Sequence, residues 1–202
     1  MSIVKRLSGL VMAVIAAITF CSCDKEGTET GSASGVVGTW RVMRLEYSFN
    51  GETVGKETIT DGEIYQFRKD GKVEIPVENS DYRVPAAYSY SSKDKTLTLD
   101  LFIARTVFSV KKLTSTEMAL SSDYSNTSSI FDDEDENVGK AVDSYKGFKI
   151  YEYDGNCSYC YRNKGKIIPC EKNYDEDYVE GDFTGDKDGY HDSETTYFKR
   201  IK

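Results

Sequence analysis

The sequence predicts an all-β chain, an up-and-down antiparallel barrel of about eight or nine strands with two acidic insertions. Three observations carry this. Short segments alternate apolar and polar residues with period two, and tight-turn signals separate them. No segment carries a convincing helical period. Fifteen tyrosines stand against one tryptophan and three prolines, a composition that suits strands.

The strands follow in order. Trp40 and Val42 alternate with Arg41, Met43 and Leu45, so 39–48 reads as one strand, closed by the Asn50-Gly51 turn signal. A polar connection runs to Gly62. Tyr65 and Phe67 share a face, Lys69-Asp70-Gly71 turns the chain, and Val73, Ile75 and Val77 alternate on the returning arm. Ala86, Tyr88 and Tyr90 form the next inward set. Leu97, Leu99 and Leu101 follow, facing away from Thr96, Thr98 and Asp100. Thr106, Phe108 and Val110, then Met118 and Leu120, continue the pattern. Phe148 to Tyr153 and Thr195 to Ile201 supply the last two strands. Closing such a meander removes its exposed edges, because the last strand can pair with the first.

Ahead of the strands lies a leader. Lys5 and Arg6 precede an apolar run from Leu10 to Phe20. That run is shorter than the about 20 residues needed to span a bilayer, and it reads as the core of a secretory signal. The following Phe20-Cys21-Ser22-Cys23 resembles the lipobox of bacterial lipoproteins. The resemblance implies that 1–22 is removed and that Cys23 is acylated, anchoring the chain to a membrane. The acidic cluster Asp24 to Glu29 resembles the surface-export signal of envelope lipoproteins in some gut bacteria, which implies an outer-membrane, surface-exposed address. Residues 23–35, rich in Gly, Ser and Thr, read as a flexible tether. The barrel domain is expected over 36–202.

The chain carries a net charge of −8, which becomes −10 without the leader's two cations. An acidic domain has no electrostatic reason to bind nucleic acid, and that class is excluded. The charge is concentrated. Residues 131–146 hold six acids against two lysines, and 171–194 hold ten acids against two lysines. What remains is close to neutral, so a neutral strand scaffold is expected to carry two acidic insertions, 131–146 and about 154–192.

The stretch Gly38-Thr39-Trp40 looks like the G-x-W motif of lipocalins. The segments Phe67 to Val73, Lys95 to Leu99, Leu113 to Met118 and Tyr197 to Arg200 are similar to the lipocalin-like lipoproteins of gut bacteria. The T-D-x-x-Y signature and a helix before the last strand are missing. The resemblance implies that Trp40 plugs the closed end of the barrel, with Gly38 in the motif, and that Arg200 stacks on the indole.

Candidate chemistry is sparse. His191 is the only histidine and has no nucleophile elbow nearby, so it reads as solvated and the chain as no enzyme. Residues 184–195 place oxygens at Asp186, Asp188 and Asp192 in part of an EF-hand spacing, a weak calcium candidate lacking the first acid and the last glutamate. Cys157, Cys160 and Cys170 with His191 lack the usual spacing of a zinc site. In an exported protein they read instead as a disulfide from Cys170 to Cys157 or Cys160, with Asn163-Lys164-Gly165 as a hairpin turn that brings the arms of 160–170 together. No cofactor is expected.

Two functions from different classes follow. In the first, the barrel binds a small hydrophobic or amphipathic ligand through Tyr65, Phe67, Tyr88, Tyr90 and Phe108. Three inward phenols need partners, so a modest, partly polar pocket is expected at the end opposite Trp40, with Tyr88 and Tyr90 in its wall. In the second, the barrel is filled by its own side chains and the acidic loops contact a protein or glycan at the cell surface.

Overall fold

The computed structural model describes residues 35–77, 80, 82–101, 104–124, 138–153, 159–172 and 189–202. The leader, Cys23 and the tether up to residue 34, Cys157, Asp186 and Asp188 lie outside the described residues, as do 125–137, 154–158 and 173–188, parts of both expected insertions.

Fourteen strands are found among the described residues, and no helix. They are β1 (Gly38–Phe49), β2 (Glu52–Thr58), β3 (Ile64–Phe67), β4 (Lys72–Pro76), β5 (Arg83–Ser91), β6 (Thr96–Leu101), β7 (Ala104–Leu113), β8 (Glu117–Asp123), β9 (Val138–Tyr145), β10 (Phe148–Tyr153), β11 (Tyr159–Asn163), β12 (Lys166–Lys172), β13 (Tyr190–His191) and β14 (Ser193–Arg200). One sheet runs β14-β8-β7-β6-β5-β4-β3-β1-β2, and a further pairing of β14 with β1 closes it. Leaving out β2, which hangs on β1, the closed part is an antiparallel barrel of eight strands. A second sheet runs β13-β12-β11-β10-β9.

The expected strands form for the expected reason. Trp40, Val42, Tyr65, Phe67, Val73, Ile75, Tyr88, Leu97, Leu99, Val110, Met118 and Leu120 are all buried, while their sequence neighbours on the strands are mostly half-buried or exposed. The turns are where their chemistry puts them. Asn50 and Gly51 have φ of 49° and 82°, the left-handed pair of a two-residue hairpin turn, and Lys146-Gly147 and Lys164-Gly165 repeat it.

Three expectations are corrected. Residues 52–58, read as a polar connection, form β2, which pairs antiparallel with β1 from Phe49↔Glu52 to Arg44↔Thr58. The acidic regions are not simple insertions, since the first contributes β9 and the second holds, around the expected Asn163-Lys164-Gly165 turn, the full β11–β12 hairpin. Leu45, assigned to the outer face, is 5% exposed. The inward set of β1 is Trp40 and Val42, then Leu45, Tyr47 and Phe49, so the alternation slips by one residue at Met43–Arg44. A one-residue slip sends every later side chain to the other face.

Contacts group the described residues into two compact units. One holds the chain up to Val42 together with Asp61–Met118 and Phe198–Lys202. Its core is built on Trp40, Phe67, Val73, Leu97 and Met118. The other holds Met43–Thr60 and Ala119–Tyr197. Its core cluster is Phe49, Tyr145, Ile150, Tyr161, Cys170 and Tyr190, with the partly buried Phe148 packed against it. Phe49 meets Tyr145 edge-on at 5.1 Å between ring centroids and Tyr161 at 4.6 Å.

The slip in β1 is held by one glycine. Val42 N–H donates to the Glu63 carbonyl at 2.9 Å, and Ile59 N–H donates to the Met43 carbonyl at 2.9 Å. Between these bonds Gly62 lies so close to β1 that a Cβ would stand 1.8 Å from the Val42 carbonyl oxygen. Gly62→Ala is therefore expected to destabilise the fold by about 2 kcal/mol or more, the usual scale of forced overpacking. Urea unfolding followed by the emission of the single tryptophan measures it.

Candidate functional site

The G-x-W segment and the end of β14 form a clasp in the first unit. Trp40 is fully buried, and its Nε1–H donates to the Val36 carbonyl at 2.8 Å. The Arg200 guanidinium carbon lies 4.2 Å from the centroid of the Trp40 ring. Its Nη1 donates to the Val37 carbonyl at 2.5 Å and its Nη2 to the Gly35 carbonyl at 2.6 Å. The glycine of the motif has a physical reason. Gly38 has φ of 149°, and a Cβ there would meet Arg200 Nη1 at 2.1 Å. Backbone bonds complete the seam: Thr39 N–H to the Lys202 carbonyl at 3.0 Å, Ile201 N–H to the Thr39 carbonyl at 2.8 Å, and Arg200 N–H to the Thr116 carbonyl at 2.9 Å.

Of the five residues assigned to ligand binding, Tyr65 and Phe67 lie on β3, Tyr88 and Tyr90 on β5 and Phe108 on β7. Phe67 and Tyr88 meet edge-on at 5.1 Å, and Tyr65 meets Phe198 edge-on at 5.5 Å. The Tyr88 hydroxyl donates to the Arg68 carbonyl at 2.7 Å, and the Tyr65 hydroxyl donates to Glu63 Oε2 at 3.2 Å. Burial, and then the charge of Asp70, push the Tyr88 phenol above its ordinary pKa. Tyr90 and Phe108 are only half-buried.

The expected pocket position is also corrected. Gly38 pairs with Phe67 at the end of β3, and the Tyr88 N–H bonds the Gly71 carbonyl in the turn that follows β3. Tyr90 pairs with Leu97 beside the next turn at that same end. Tyr88 and Tyr90 therefore stand at the Trp40 end, not opposite it. The depression that does exist there, of about 700 Å³, is broad and open and is lined by Gly35, Tyr90, Leu113, Thr114, Ser115 and Arg200. Some of its polar groups are engaged, while Arg200 Nε is buried without a hydrogen-bond partner. Arg200 serves Val37 and Gly35, and the Thr114 hydroxyl oxygen accepts the Glu117 N–H at 2.9 Å.

The second unit carries a denser polar arrangement that the sequence did not reveal. Asp192 Oδ2 accepts the Asn50 N–H at 2.8 Å and the Tyr161 hydroxyl at 2.5 Å, and Oδ1 lies 3.3 Å from the Ser193 hydroxyl. The Tyr190 hydroxyl donates to Asp143 Oδ2 at 3.0 Å. Burial first, and the carboxylate partner second, push both phenols far above the ordinary tyrosine range. Glu46 accepts the Tyr197 hydroxyl at 2.5 Å and pairs with Lys56 at 3.0 Å, and these contacts hold its carboxyl below the usual range. Such satisfied buried groups rigidify a fold.

The metal and disulfide candidates change accordingly. Asp192, of the calcium trio, spends its carboxylate on Asn50, Tyr161 and Ser193. Among the described residues no group of three or more His, Cys, Asp and Glu side chains is placed to hold a metal. Cys160 pairs with Pro169 and Cys170 with Tyr159, so the two cysteines point to opposite faces of the β11–β12 ladder. That geometry forbids a bridge between them, and the described residues hold none. The alternative partner, Cys157, is outside the described residues. His191, expected in solvent, is 1% exposed.

Comparison with known proteins finds no matching family model, no matching characterised protein and no matching solved structure.

The clasp makes a direct expectation. Arg200→Ala removes the stacked cation and both bonds to the Gly35–Val37 strap, and is expected to lower stability by about 1–3 kcal/mol. The Trp40 emission should shift to the red as its cover is lost. Arg200→Lys should rescue little, because an ammonium has no planar fork to reach two carbonyls.

Proposed function

We propose that this chain is an envelope lipoprotein of the lipocalin-like kind whose barrel is a filled scaffold, presenting its loops to a protein or glycan at the cell surface. The reading of a lipid anchor at Cys23 rests on the leader's resemblance to a lipobox, and the reading of surface exposure on the acidic cluster after it. The scaffold reading rests on the barrel interior. Trp40, Phe67, Val73, Leu97 and Met118 are each no more than 2% exposed, and large inward residues fill an eight-stranded barrel without leaving a ligand chamber.

One observation carries the choice between the two functional classes. The Tyr88 phenol, which would have faced a ligand, closes on the Arg68 carbonyl with its ring edge-on to Phe67. A buried hydroxyl with a protein partner needs neither water nor ligand. A second reading, binding of a small amphipathic molecule, finds support only in the open depression beside Tyr90. Neither reading calls for a cofactor, a nucleic acid or catalysis.

The test uses fatty-acid, retinoid-like and porphyrin probes against the detergent-solubilised full chain. The scaffold reading expects no saturable change in Trp40 emission or probe fluorescence. Saturable one-to-one binding abolished by Tyr88→Ala, with the fold retained, would return the function to the barrel interior. Binding abolished by Tyr90→Ala instead would favour the depression. The same chain should label with radioactive palmitate in cells and lose the label in Cys23→Ala.

A further inference from the structure

One hairpin turn of the second unit carries a reactive pair. Asn50-Gly51 joins β1 to β2 with φ of 49° and 82°, and Phe49 pairs with Glu52 across it. The turns at Lys146-Gly147 and Lys164-Gly165 share this left-handed backbone but place a lysine where the first places Asn50. Asn50 is the only asparagine in the chain followed by glycine. Both residues are exposed, and a Cβ on Gly51 would meet nothing within 4 Å, so water reaches the peptide bond between them.

The chemistry open to such a pair needs no reagent but water. The Gly51 nitrogen gives its proton to solvent and attacks Cγ of Asn50. The Cγ–Nδ2 bond breaks, ammonia leaves, and a cyclic imide remains. Water then opens either C–N bond of the imide. Cleavage at Cγ gives aspartate, and cleavage at the main-chain carbonyl of residue 50 gives isoaspartate. Both products carry a new carboxylate, and isoaspartate also routes the main chain through an extra methylene. Glycine favours the attack because it has no Cβ to crowd the nitrogen.

The closed turn withholds the reaction. A left-handed residue has ψ of about +47°, which sets the Gly51 nitrogen nearly opposite Cβ across the Cα–C bond, on the far side from Cγ. The residue is also fastened at both ends. Its N–H donates to Asp192 Oδ2 at 2.8 Å, and its Oδ1 accepts from Asn163 Nδ2 at 3.3 Å. Asp192 is 8% exposed, and the same Oδ2 accepts the Tyr161 hydroxyl at 2.5 Å. A second carboxylate on residue 50 would stand beside this one, and like charges repel most where water is scarce. An isoaspartate cannot keep a two-residue loop, whose length sets the register of its strands.

We propose that Asn50 is a spontaneous deamidation site guarded by its own turn: the closed turn keeps the side-chain amide from the Gly51 nitrogen, and once the turn opens, loss of ammonia leaves a carboxylate that stops Asp192 from closing on it again. The modification is a one-way release of residues 50 and 192 from each other, set by how often the turn opens.

The detergent-solubilised full chain is incubated in mildly alkaline buffer, folded and in urea, and the peptide holding Asn50 is followed by mass and isoaspartate content. Conversion should proceed in urea and run slower in the folded chain by about tenfold or more, since local opening limits it. Asn50→Asp reproduces one product. In it the protection of the Asp192 amide, corrected for intrinsic exchange, should fall about tenfold, the equivalent of one pK unit of repulsion. Asn50→Gly keeps the left-handed turn and the N–H without the amide, so its Asp192 protection should stay within about twofold of the natural chain's. Equal rates in the folded chain and in urea overturn the guard, and so does no conversion in urea. An Asp192 amide as protected in Asn50→Asp as in Asn50→Gly overturns the release. Should Asn50→Asp fail to fold, the converted natural chain, separated by its added charge, is measured in its place.

Discussion

The structure depends on one irregularity in its first strand. β1 begins with Trp40 and Val42 buried and ends with Leu45, Tyr47 and Phe49 buried, so its two halves are out of phase by one residue at Met43–Arg44. The partners change at the same place. Residues 38–41 pair with β3 and residues 44–49 pair with β2. The chain that leaves β2 returns past Val42 at Gly62, where there is room for no side chain. A local slip of this kind, bound to a change of partner, re-aims everything downstream of it. It lets a single strand give its first half to the core of one unit and its second half to the core of the other.

The two cores are stabilised differently. The first is mainly aliphatic and aromatic, with its phenols tied off on Arg68 and Glu63 and its end covered by Arg200 stacked on Trp40. It has the character of a fixed support. The second is built from tyrosines whose hydroxyls reach carboxylates, Tyr161 to Asp192 and Tyr190 to Asp143. Such pairs are worth more when complete than when broken, since a lost partner leaves a buried polar group unmatched.

Much of the barrel was legible because period-two alternation is a direct record of which face is buried, and it placed nearly every inward residue from Tyr65 to Leu120. The clasp was legible through Gly38, Trp40 and a basic residue near the last strand. The end of the barrel was misread although the information was there. Adjacent strands of a meander run in opposite directions, so the late residues of β5, Tyr88 and Tyr90, must return to the end where β1 begins. The second sheet was legible only in β10 and in the Asn163-Lys164-Gly165 turn between β11 and β12. β9 buries only Tyr145 and has two irregularities against β10, and β11 and β12 bury adjacent residues, Cys160 with Tyr161 and Pro169 with Cys170, so neither shows alternation. His191 looked solvated because its sequence neighbours are acidic, while the rings that bury it come from Tyr47 and from Tyr124, which is 67 residues away.

The slip in β1 is tested most directly by comparing truncations on either side of it. If the phase changes at Met43–Arg44, Leu45→Ala removes a core side chain and should cost about 2–4 kcal/mol in urea unfolding. Met43→Ala, at a half-buried position, should cost clearly less. Unbroken alternation from Trp40 would place Leu45 on the outer face with Arg41 and Met43. A Leu45→Ala variant as stable as the natural chain, within about 0.5 kcal/mol, would contradict the slip and with it the division of β1 between two cores.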